Sequence, residues 1–202
     1  MTTWSATANA STSGGNLTIT STGANGRGFT SIPIPSGSAY MELVVNDVTT
    51  SLGVGVANTS ESSYVGGTAN SAGFLRDGNI YTNNAYVTTV KVDGYNNPTA
   101  IVVGDIISIA TDGTNARLWM RCNGGVWNTY LTGDPAAGSG SVSYSGVTGS
   151  RFLYFEADNS GPAVTANFGL SAFTYSIPTG FSAWDVAAGG VLWRPVSPLI
   201  LR

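Results

Sequence analysis

The residues best suited to acid–base chemistry in this sequence are its carboxylates. Two pairs stand close along the chain, Asp105 with Asp112 and Glu156 with Asp158. Glycoside cleavage requires two carboxylates that flank one sugar bond. Asp105 begins a predicted strand, Asp112 occupies a turn, and Glu156 and Asp158 share a face at a strand end, so structural roles account for both pairs. We therefore expect no enzyme; a glycan hydrolase that depends on Glu156 is the alternative.

Other catalytic and metal-binding chemistry lacks its usual residues. The sequence contains no histidine and a single cysteine, Cys122. Ser-His-Asp and Cys-His arrangements, disulfides and Cys-based zinc sites are thereby excluded. Asp112 and Asn115 could offer oxygen ligands to Ca²⁺, but no segment has the acidic density of a dedicated site. The expectation is that neither a metal nor another cofactor is bound.

The charge pattern argues against nucleic acid and membrane partners. Only 9% of the residues are charged, the net charge is −3, and Lys91 is the only lysine. A phosphate-binding surface needs clustered basic residues, whereas the arginines here are scattered singly. Residues 1–6 have neither a basic nor an apolar character, and no stretch approaches the ~18 apolar residues of a membrane span. We expect neither a signal peptide nor a membrane span.

Aromatic side chains beside polar ones are the better candidates for binding. Such residues commonly make contacts with sugars or peptides. Tyr64 and Tyr144 lie in the long polar segments 59–73 and 133–149, so we expect exposed side chains there. For Trp119 and Trp127 the alternative is burial in the core or over a sheet edge. The predicted binding surface consists of Tyr64, Trp119, Arg121, Trp127, Tyr130 and Tyr144.

The elements that must position these residues are short strands separated by turn residues. Strand patterns occupy 16–20, 40–48, 51–57, 80–81, 85–92, 105–110, 116–122, 126–130, 151–156, 163–168 and 172–175. No window has sustained helical periodicity, so the chain is predicted to be all-β, a sandwich or a barrel.

Two strand pairs are predicted from tight turns. Asp112-Gly113 should join 105–110 to 116–122, and the connection 47–50 should join 40–48 to 51–57 in a hairpin. In the first strand of the latter pair, Met41, Leu43 and Val45 should share one face. In the second, Gly53 and Gly55 share a face, which predicts that something packs closely against them.

The C-terminal part of the chain has a different character. Residues 185–190 are a small-residue linker, and 191–202 form an apolar tail in which Pro195 and Pro198 forbid a regular helix or central strand. Its exposed apolar side chains should dock on a surface. The predicted assembly residues are Trp193, Leu199, Ile200 and Leu201.

The order of several short motifs resembles the SPRY (B30.2-like) family. The motifs are Gly37-Ser-Ala-Tyr40-Met-Glu42, Gly53-Val-Gly55-Val-Ala57, Asp77-Gly78-Asn79-Ile80-Tyr81, Gly104-Asp105-Ile106-Ile107 with Asp112, Asn123-Gly124, and a closing run of Asn167-Phe168-Gly169, Phe173, Tyr175, Pro178, Gly180 and Phe181. The resemblance implies a bent antiparallel β-sandwich of the SPRY/concanavalin-like jelly-roll kind with a short irregular C-terminal tail. It implies N-terminal strands in 1–36, a SPRY-like core in 37–184, and a linker with an assembly tail in 185–202.

The closing segment looks most like the SPRY-like domains of tailed-phage structural proteins. This resemblance implies a non-enzymatic virion protein of the capsid, collar or tail, forming a homo-oligomer. Its partners would be other virion proteins through the tail and a host-surface glycan or protein through the loops. A cytosolic SPRY adaptor that binds peptides is a further alternative.

Overall fold

Two β-sheets face each other and enclose the main core. The structure is a computed structural model and describes residues 1–187. Sheet A has seven strands, in the spatial order β1 (Trp4–Ala8), β4 (Gly26–Thr30), β13 (Phe152–Ala157), β6 (Leu52–Ala57), β7 (Ser71–Leu75), β8 (Asn79–Thr82) and β9 (Ala85–Thr89). All neighbouring strands in this sheet are antiparallel.

Sheet B has eight strands. Seven follow the order β12 (Val142–Ser143), β11 (Arg117–Cys122), β10 (Ile106–Asp112), β5 (Ser38–Asp47), β14 (Ala163–Asn167), β3 (Thr18–Ser21) and β2 (Ala10–Ser13). The eighth, β15 (Ser182–Ala183), lies parallel to β5. The described helices are a 3₁₀ turn, η1 (Thr129–Leu131), and one α-helical turn, α1 (Trp184–Ala187). The predicted all-β sandwich is confirmed, and residues 1–36 supply strands to both sheets.

Alternating side chains explain which face of each strand is buried between the sheets. Met41, Leu43 and Val45 of β5 enter the main core, as the sequence predicts, while Tyr40 and Glu42 point to the outer face of sheet B. Successive side chains of a strand point to opposite faces, so this division follows directly from the period of two. The predicted pairing across Asp112-Gly113 is also confirmed, since β10 and β11 are antiparallel neighbours.

The predicted hairpin between residues 40–48 and 51–57 is wrong. The connection is tight, with the Thr49 amide donating to Asp47 Oδ1 over 2.7 Å. It nevertheless carries the chain from sheet B to sheet A, where β6 pairs with β13 and β7. The reason is that β5 already has neighbours on both sides, β10 and β14, and both come from later in the chain.

Two predicted strands, 126–130 and 172–175, are irregular because side chains replace backbone partners. Asn128 takes a left-handed backbone conformation with φ of 42°. Its buried amide accepts from the Met120 amide at 2.9 Å and donates to the Leu118 carbonyl at 3.0 Å. One asparagine thus continues the hydrogen bonding of β11 beyond its short pairing with β12. For residues 172–175, the Glu42 carboxylate accepts the backbone N–H bonds that a neighbouring strand would otherwise accept.

A covering loop, residues 58–70, lies on the outer face of sheet A. The glycines of the predicted glycine face explain how closely it packs. A Cβ on Gly53 would lie 3.0 Å from Val65 Cγ2, and one on Gly73 would lie 2.7 Å from Val65 Cγ1. The loop is held from beneath by the Tyr154 hydroxyl, which donates to the Ser63 carbonyl at 3.1 Å. The predicted close packing over Gly53 is confirmed.

A second irregular segment, residues 169–181, crosses the outer face of sheet B and is called the strap here. Phe173 packs edge-on to Tyr40 with ring centroids 4.8 Å apart, and Phe181 packs on Trp119 at 6.0 Å. These residues form a small outer core with Ala110 and Trp127. Part of the outer face of each sheet is therefore covered as well.

The described part of the chain ends beside its beginning. The Thr2 amide donates to Asp185 Oδ1 over 2.6 Å, and Trp184 is fully buried against Phe168. Asp185, the first residue of the predicted linker, thus contacts the sandwich. The predicted assembly residues Trp193, Leu199, Ile200 and Leu201 lie outside the described residues. Within residues 1–187, no helix has the length and apolar character needed to cross a membrane.

Candidate binding surface

The outward side chains of β11 form the base of a groove on sheet B. Leu118 and Met120 face the main core, while Trp119 and Arg121 face outward, as the alternation predicts. Trp119 is covered by Phe181 and donates from Nε1 to the Ser139 carbonyl at 2.7 Å. It is only 1% exposed. Of the two outward residues, only Arg121 can therefore contact a partner directly.

Arg121 is held between two aromatic rings. Its guanidinium carbon lies 4.3 Å from the centroid of the Trp127 ring and 5.6 Å from that of Tyr175. The negative π-face of an aromatic ring attracts a cation, and the attraction grows as the pair is desolvated. Trp127 is itself fixed by edge-on packing against Tyr40, with centroids 6.3 Å apart. The orientation of the arginine is thus set by packing.

A buried carboxylate fixes the strap that carries Tyr175. Glu42 accepts backbone N–H bonds from Thr174 and Tyr175, both at 2.8 Å. The Tyr40 hydroxyl donates to the same carboxylate at 2.7 Å. Burial, opposed in part by Ser108, raises the pKa of Tyr40 to about 12, so its proton stays available for this bond. Three donors satisfy the buried charge of Glu42, as a buried carboxylate requires.

The Asn123-Gly124 turn completes the wall beside Tyr175. Gly124 has φ of 72°, and a Cβ at this position would lie 2.6 Å from Tyr175 Cε1. The glycine therefore serves both the left-handed turn and the close approach of the ring. The cavity lined in part by Arg121, Trp127 and Tyr175 has a volume of about 410 Å³. Its lining, called the groove from here on, consists of Arg121, Trp127, Asp134, Pro135, Ala136, Tyr175, Ser176, Ile177, Pro178 and Thr179.

Two other predicted residues, Tyr64 and Tyr130, lie on either side of the β8–β9 hairpin. Tyr64, 38% exposed, belongs to the covering loop and donates from its hydroxyl to Asn84 Oδ1 in the hairpin turn. Tyr130, 40% exposed, belongs to η1 and donates to the Asn96 carbonyl at 2.7 Å. Tyr86 between them is 48% exposed. We call Tyr64, Tyr86 and Tyr130 the tyrosine surface; it is separate from the groove.

The expectation that Tyr144 is exposed is wrong. Its ring is 1% exposed, belongs to the main core and lies 5.2 Å from the Arg151 guanidinium. The polar neighbours in 133–149 suggest a solvent-exposed loop, but the Tyr144 amide donates to the Ala116 carbonyl at 3.0 Å and directs the side chain inward. Trp119 and Trp127 also follow the alternative of burial, at 1% and 8% exposure.

The carboxylate pairs are not arranged around a common cleft. Asp105 and Asp112 flank the two ends of β10, which places them about 20 Å apart at the rise of a strand. Asp105 is paired with Lys91 at 2.6 Å; although burial opposes it, this contact helps hold the pKa of that carboxyl below its ordinary value. Asp112 accepts from the Asn115 side chain at 2.6 Å.

Glu156 is enclosed beneath the covering loop and is 4% exposed. Burial and the nearby Asp158 carboxylate raise its pKa to about 7. Its Oε1 has no hydrogen-bond partner among the described residues and lies against Gly53. The neighbouring Glu61, equally buried, accepts from Ser71 and Thr68 hydroxyls, both at 2.6 Å. Across residues 1–187, no three His, Cys, Asp or Glu side chains are placed to hold a metal ion.

The sequence signalled some groove residues without identifying them as a binding site. Tyr175 and Pro178 are part of the closing motif that carries the SPRY resemblance, and Asn123-Gly124 is the turn on which the ring packs. Asp134 gave no signal, because its position beside the groove depends on the fold of residues 128–140. Arg121 and Trp127 are the two predicted residues that the structure brings together in the groove.

The fold is similar to that of solved SPRY domains. The SPRY domain of human HERC1 matches with a TM-score of 0.58 and 17% sequence identity, over 78% of this chain and 91% of that one. The PSpry domain of TRIM65 matches with a TM-score of 0.53 and 12% identity, over 82% of this chain and 88% of the other. No family model and no curated protein matches in sequence. The chain therefore has a SPRY-like β-sandwich fold, a similarity of architecture that leaves the ligand to be argued from the site.

Proposed function

We propose that this chain is a non-enzymatic binding domain that recognises a protein partner through the groove. The observation that carries the proposal is Arg121, a cation held by Trp127 and Tyr175 in a cavity of about 410 Å³. Arginine and aromatic residues are enriched among the side chains that contribute most to protein–protein binding. Because packing already fixes them, few side-chain rotamers have to be ordered when a partner binds.

The arrangement of the acidic residues supports a binding role over glycan hydrolysis. Asp105 and Asp112 are far more widely separated than the carboxylates of a glycosidase, which lie about 5–10 Å apart. Glu156 is covered by residues 58–70 and lines none of the groove. A hydrolase would need this acid to reach a substrate.

We further propose that the chain is a structural protein of a bacteriophage virion, in the capsid, collar or tail. The order of the SPRY-like motifs up to Trp184 and the low charge of the sequence support this setting. The apolar residues Trp193, Leu199, Ile200 and Leu201 would bind neighbouring virion proteins and make the chain a homo-oligomer. A cytosolic SPRY adaptor would use the same groove, but it would not be present in particles.

The test places a photo-crosslinking amino acid at Thr179, in the groove, within purified particles. A matched variant carries the same group at Thr7, an exposed residue on β1 of the other sheet. We expect one virion or host protein, identified by mass spectrometry, to be crosslinked from Thr179 and not from Thr7. Crosslinking from Thr7 alone would remove the groove from the proposal. Absence of the chain from purified particles would refute the virion setting.

A second candidate function, binding of a host-surface glycan, is favoured by the tyrosine surface. Its three aromatic side chains are 38–48% exposed, and the Tyr64 hydroxyl donates to the Asn84 side chain. Exposed tyrosines with polar neighbours suit sugar stacking. On a glycan array, Tyr86→Ala should abolish such binding, whereas Arg121→Gln should leave it unchanged. The reverse pattern would remove the tyrosine surface as a glycan site.

A further inference from the structure

We infer that the groove takes a carboxylate side chain, an Asp or Glu carried by an apolar segment of the partner protein, and that Arg121 is its binding residue. This inference rests on the proposed function and names the chemistry of the partner. Three features support it: the hydrogen bonds of Arg121, the character of the groove walls and the position of Asp134.

Most of the hydrogen-bonding capacity of Arg121 is unused. Within residues 1–187, Arg121 donates one long hydrogen bond, from Nη2 to the Ser176 carbonyl at 3.4 Å. Its Nε is buried without a hydrogen-bond partner in that part of the chain, and the guanidinium lies near enough to the Tyr40 hydroxyl to oppose the rise of that pKa. No carboxylate described lies within ion-pair distance of it, since the ion pair found there joins Lys91 and Asp105. A guanidinium offers five N–H donors in a fixed fork that matches a carboxylate.

The surrounding rings make this vacant cation well suited to an anion. The Trp127 and Tyr175 rings lie 4.3 and 5.6 Å from the guanidinium carbon and replace part of the water around the cation. An ion pair is stronger where the surroundings are less polar, provided that both charges are matched. Because Glu42 and Gly124 fix the position of Tyr175, the site exists before the ligand arrives.

The groove walls favour a peptide side chain over an acidic sugar. Trp127 is only 8% exposed, and Arg121 covers its ring, so it offers no free face for a sugar to stack on. In the rest of the lining, Pro135, Ile177 and Pro178 offer apolar contacts beside the polar Ser176 and Thr179. Among residues 1–187, the more exposed tyrosine rings are those of the tyrosine surface and of Tyr95, outside the groove. An acidic residue flanked by apolar ones fits this combination.

Asp134 sets the direction in which the ligand can lie. It is the one acidic residue among those that line the groove. Its Oδ1 accepts hydrogen bonds from the backbone amides of Ala136 and Ala137, at 2.9 and 3.3 Å. These bonds hold the carboxylate in the turn that begins at Asp134. A second acidic residue at this end of the ligand would be repelled. Removing this charge should therefore strengthen the binding of an acidic ligand.

The experiment uses an array of immobilised hexapeptides, synthesised as pairs that differ only in Glu against Gln at one position. The full chain is applied, and the dissociation constants of the tightest pairs are measured by fluorescence polarisation. We expect the Glu member to bind about tenfold or more tightly than the Gln member, as a charge-assisted pair implies. Arg121→Gln should abolish that preference, Arg121→Lys should retain part of it, and Asp134→Asn should increase affinity severalfold.

The controls separate this inference from the proposed function. Arg76→Gln removes an exposed positive charge outside the groove and should leave the preference intact. Thr179→Trp, at an exposed position, blocks the groove and should abolish all peptide binding. Peptides that bind in the groove without any preference for Glu would overturn the carboxylate inference alone. Peptide binding that survives Thr179→Trp would overturn both. Circular dichroism and thermal melting verify that each variant is folded.

Discussion

Glu42 shows how a single residue can connect the core to the candidate site. It lies on a strand whose other face is fully apolar, yet its carboxylate is 3% exposed and accepts three hydrogen bonds. Two of these come from the strap, so the position of the Tyr175 ring depends on a residue that never faces the groove. The sequence places Glu42 in one of the SPRY-like motifs, but its two strap partners, some 130 residues further along, could be found only from the fold.

Replacement of Glu42 by Gln is expected to destabilise the protein and to disrupt the groove. Glutamine keeps one acceptor oxygen but carries an amide NH2 group in place of the other. One backbone N–H of the strap then faces a donor and loses its acceptor. A lost hydrogen bond to a buried charge corresponds to about 1.5–3 kcal/mol of unfolding free energy. Urea denaturation measures it. Arg76→Gln, which removes an exposed charge, should change stability by less than about 0.5 kcal/mol. Equal effects of the two variants would contradict this role of Glu42.

Glu156 should make the stability of the protein depend on pH. Its folded pKa of about 7 lies above the ordinary value of 4.5, so the folded state favours the protonated acid. The stabilisation is complete below about pH 4.5 and is lost as the pH rises through about 7, in total roughly 3 kcal/mol. Glu61 and Asp105 have lowered pKa values and so act with the opposite sign at lower pH. No histidine titrates between these ranges.

Glu156→Gln should remove most of this pH dependence, because its amide stays neutral. Unfolding free energies at about pH 5 and about pH 8 would fall with pH for the unmodified chain and stay nearly level for the variant. The variant should be the more stable of the two at the higher pH. A chain whose stability rises over this interval would show that Glu156 is ionised in the folded state.

At the scale of elements, the glycines of β6 and β7 let the covering loop approach sheet A. Gly55 and Gly73 are directly opposite in the antiparallel pair, and a Cβ on Gly55 would lie 2.5 Å from Gly73 Cα. Val65 of the loop fills the space above them. The sequence pattern Gly-x-Gly identified the close contact correctly, but it could not say that residues 58–70 make it.

Gly73→Ala should therefore destabilise the protein by roughly 1–3 kcal/mol, the usual cost of overpacking. The new methyl group would meet Val65 and the backbone of β6. Gly94→Ala is the matched control, because nothing lies within 4 Å of a Cβ there. Thermal melting of the two variants should show a clear drop for the first alone. An unchanged melting temperature for Gly73→Ala would mean that the loop moves away at little cost.

The same scale shows which elements could be predicted and which could not. Alternation in residues 40–48 and 116–122 fixed the buried faces of β5 and β11, because a two-residue period depends only on local sequence. The false hairpin between β5 and β6 arose because a tight turn signals a reversal without indicating the sheet that receives the next strand. The irregular residues 126–130 have strand-like composition, and only the contacts of Asn128 with β11 explain their conformation.

At the scale of the whole molecule, the groove is built on sheet B, whereas the tyrosine surface takes Tyr64 from the covering loop, Tyr86 from sheet A and Tyr130 from η1. Arg121 belongs to β11 of sheet B, while Tyr86 belongs to β9 at the edge of sheet A. The sequence grouped residues of both into one binding surface, since nothing in their spacing shows that they lie apart. Two separate surfaces allow variants of one to serve as controls for the other.

The predicted assembly role of the tail is testable by deletion of residues 188–202. Ala187 packs against the main core, so a chain ending there keeps every described contact of α1. The deletion should leave the melting temperature of the sandwich nearly unchanged. Light scattering should give an oligomer for the full chain and a monomer for the shortened one. A shortened chain that still forms the oligomer would remove the tail from the assembly proposal.

The meeting of the two ends of the described chain has a consequence for biosynthesis. Trp4 is enclosed by Phe155 and Phe168, and the Thr2 amide is bound by Asp185. The backbone partner of the first strand, β4, emerges early from the ribosome, but Phe155 and Phe168, which cover Trp4, are synthesised much later. Folds dominated by such distant contacts form slowly. Closure of the sandwich must therefore follow translation of Trp184, and until then a nascent chain exposes an unpartnered tryptophan to chaperones.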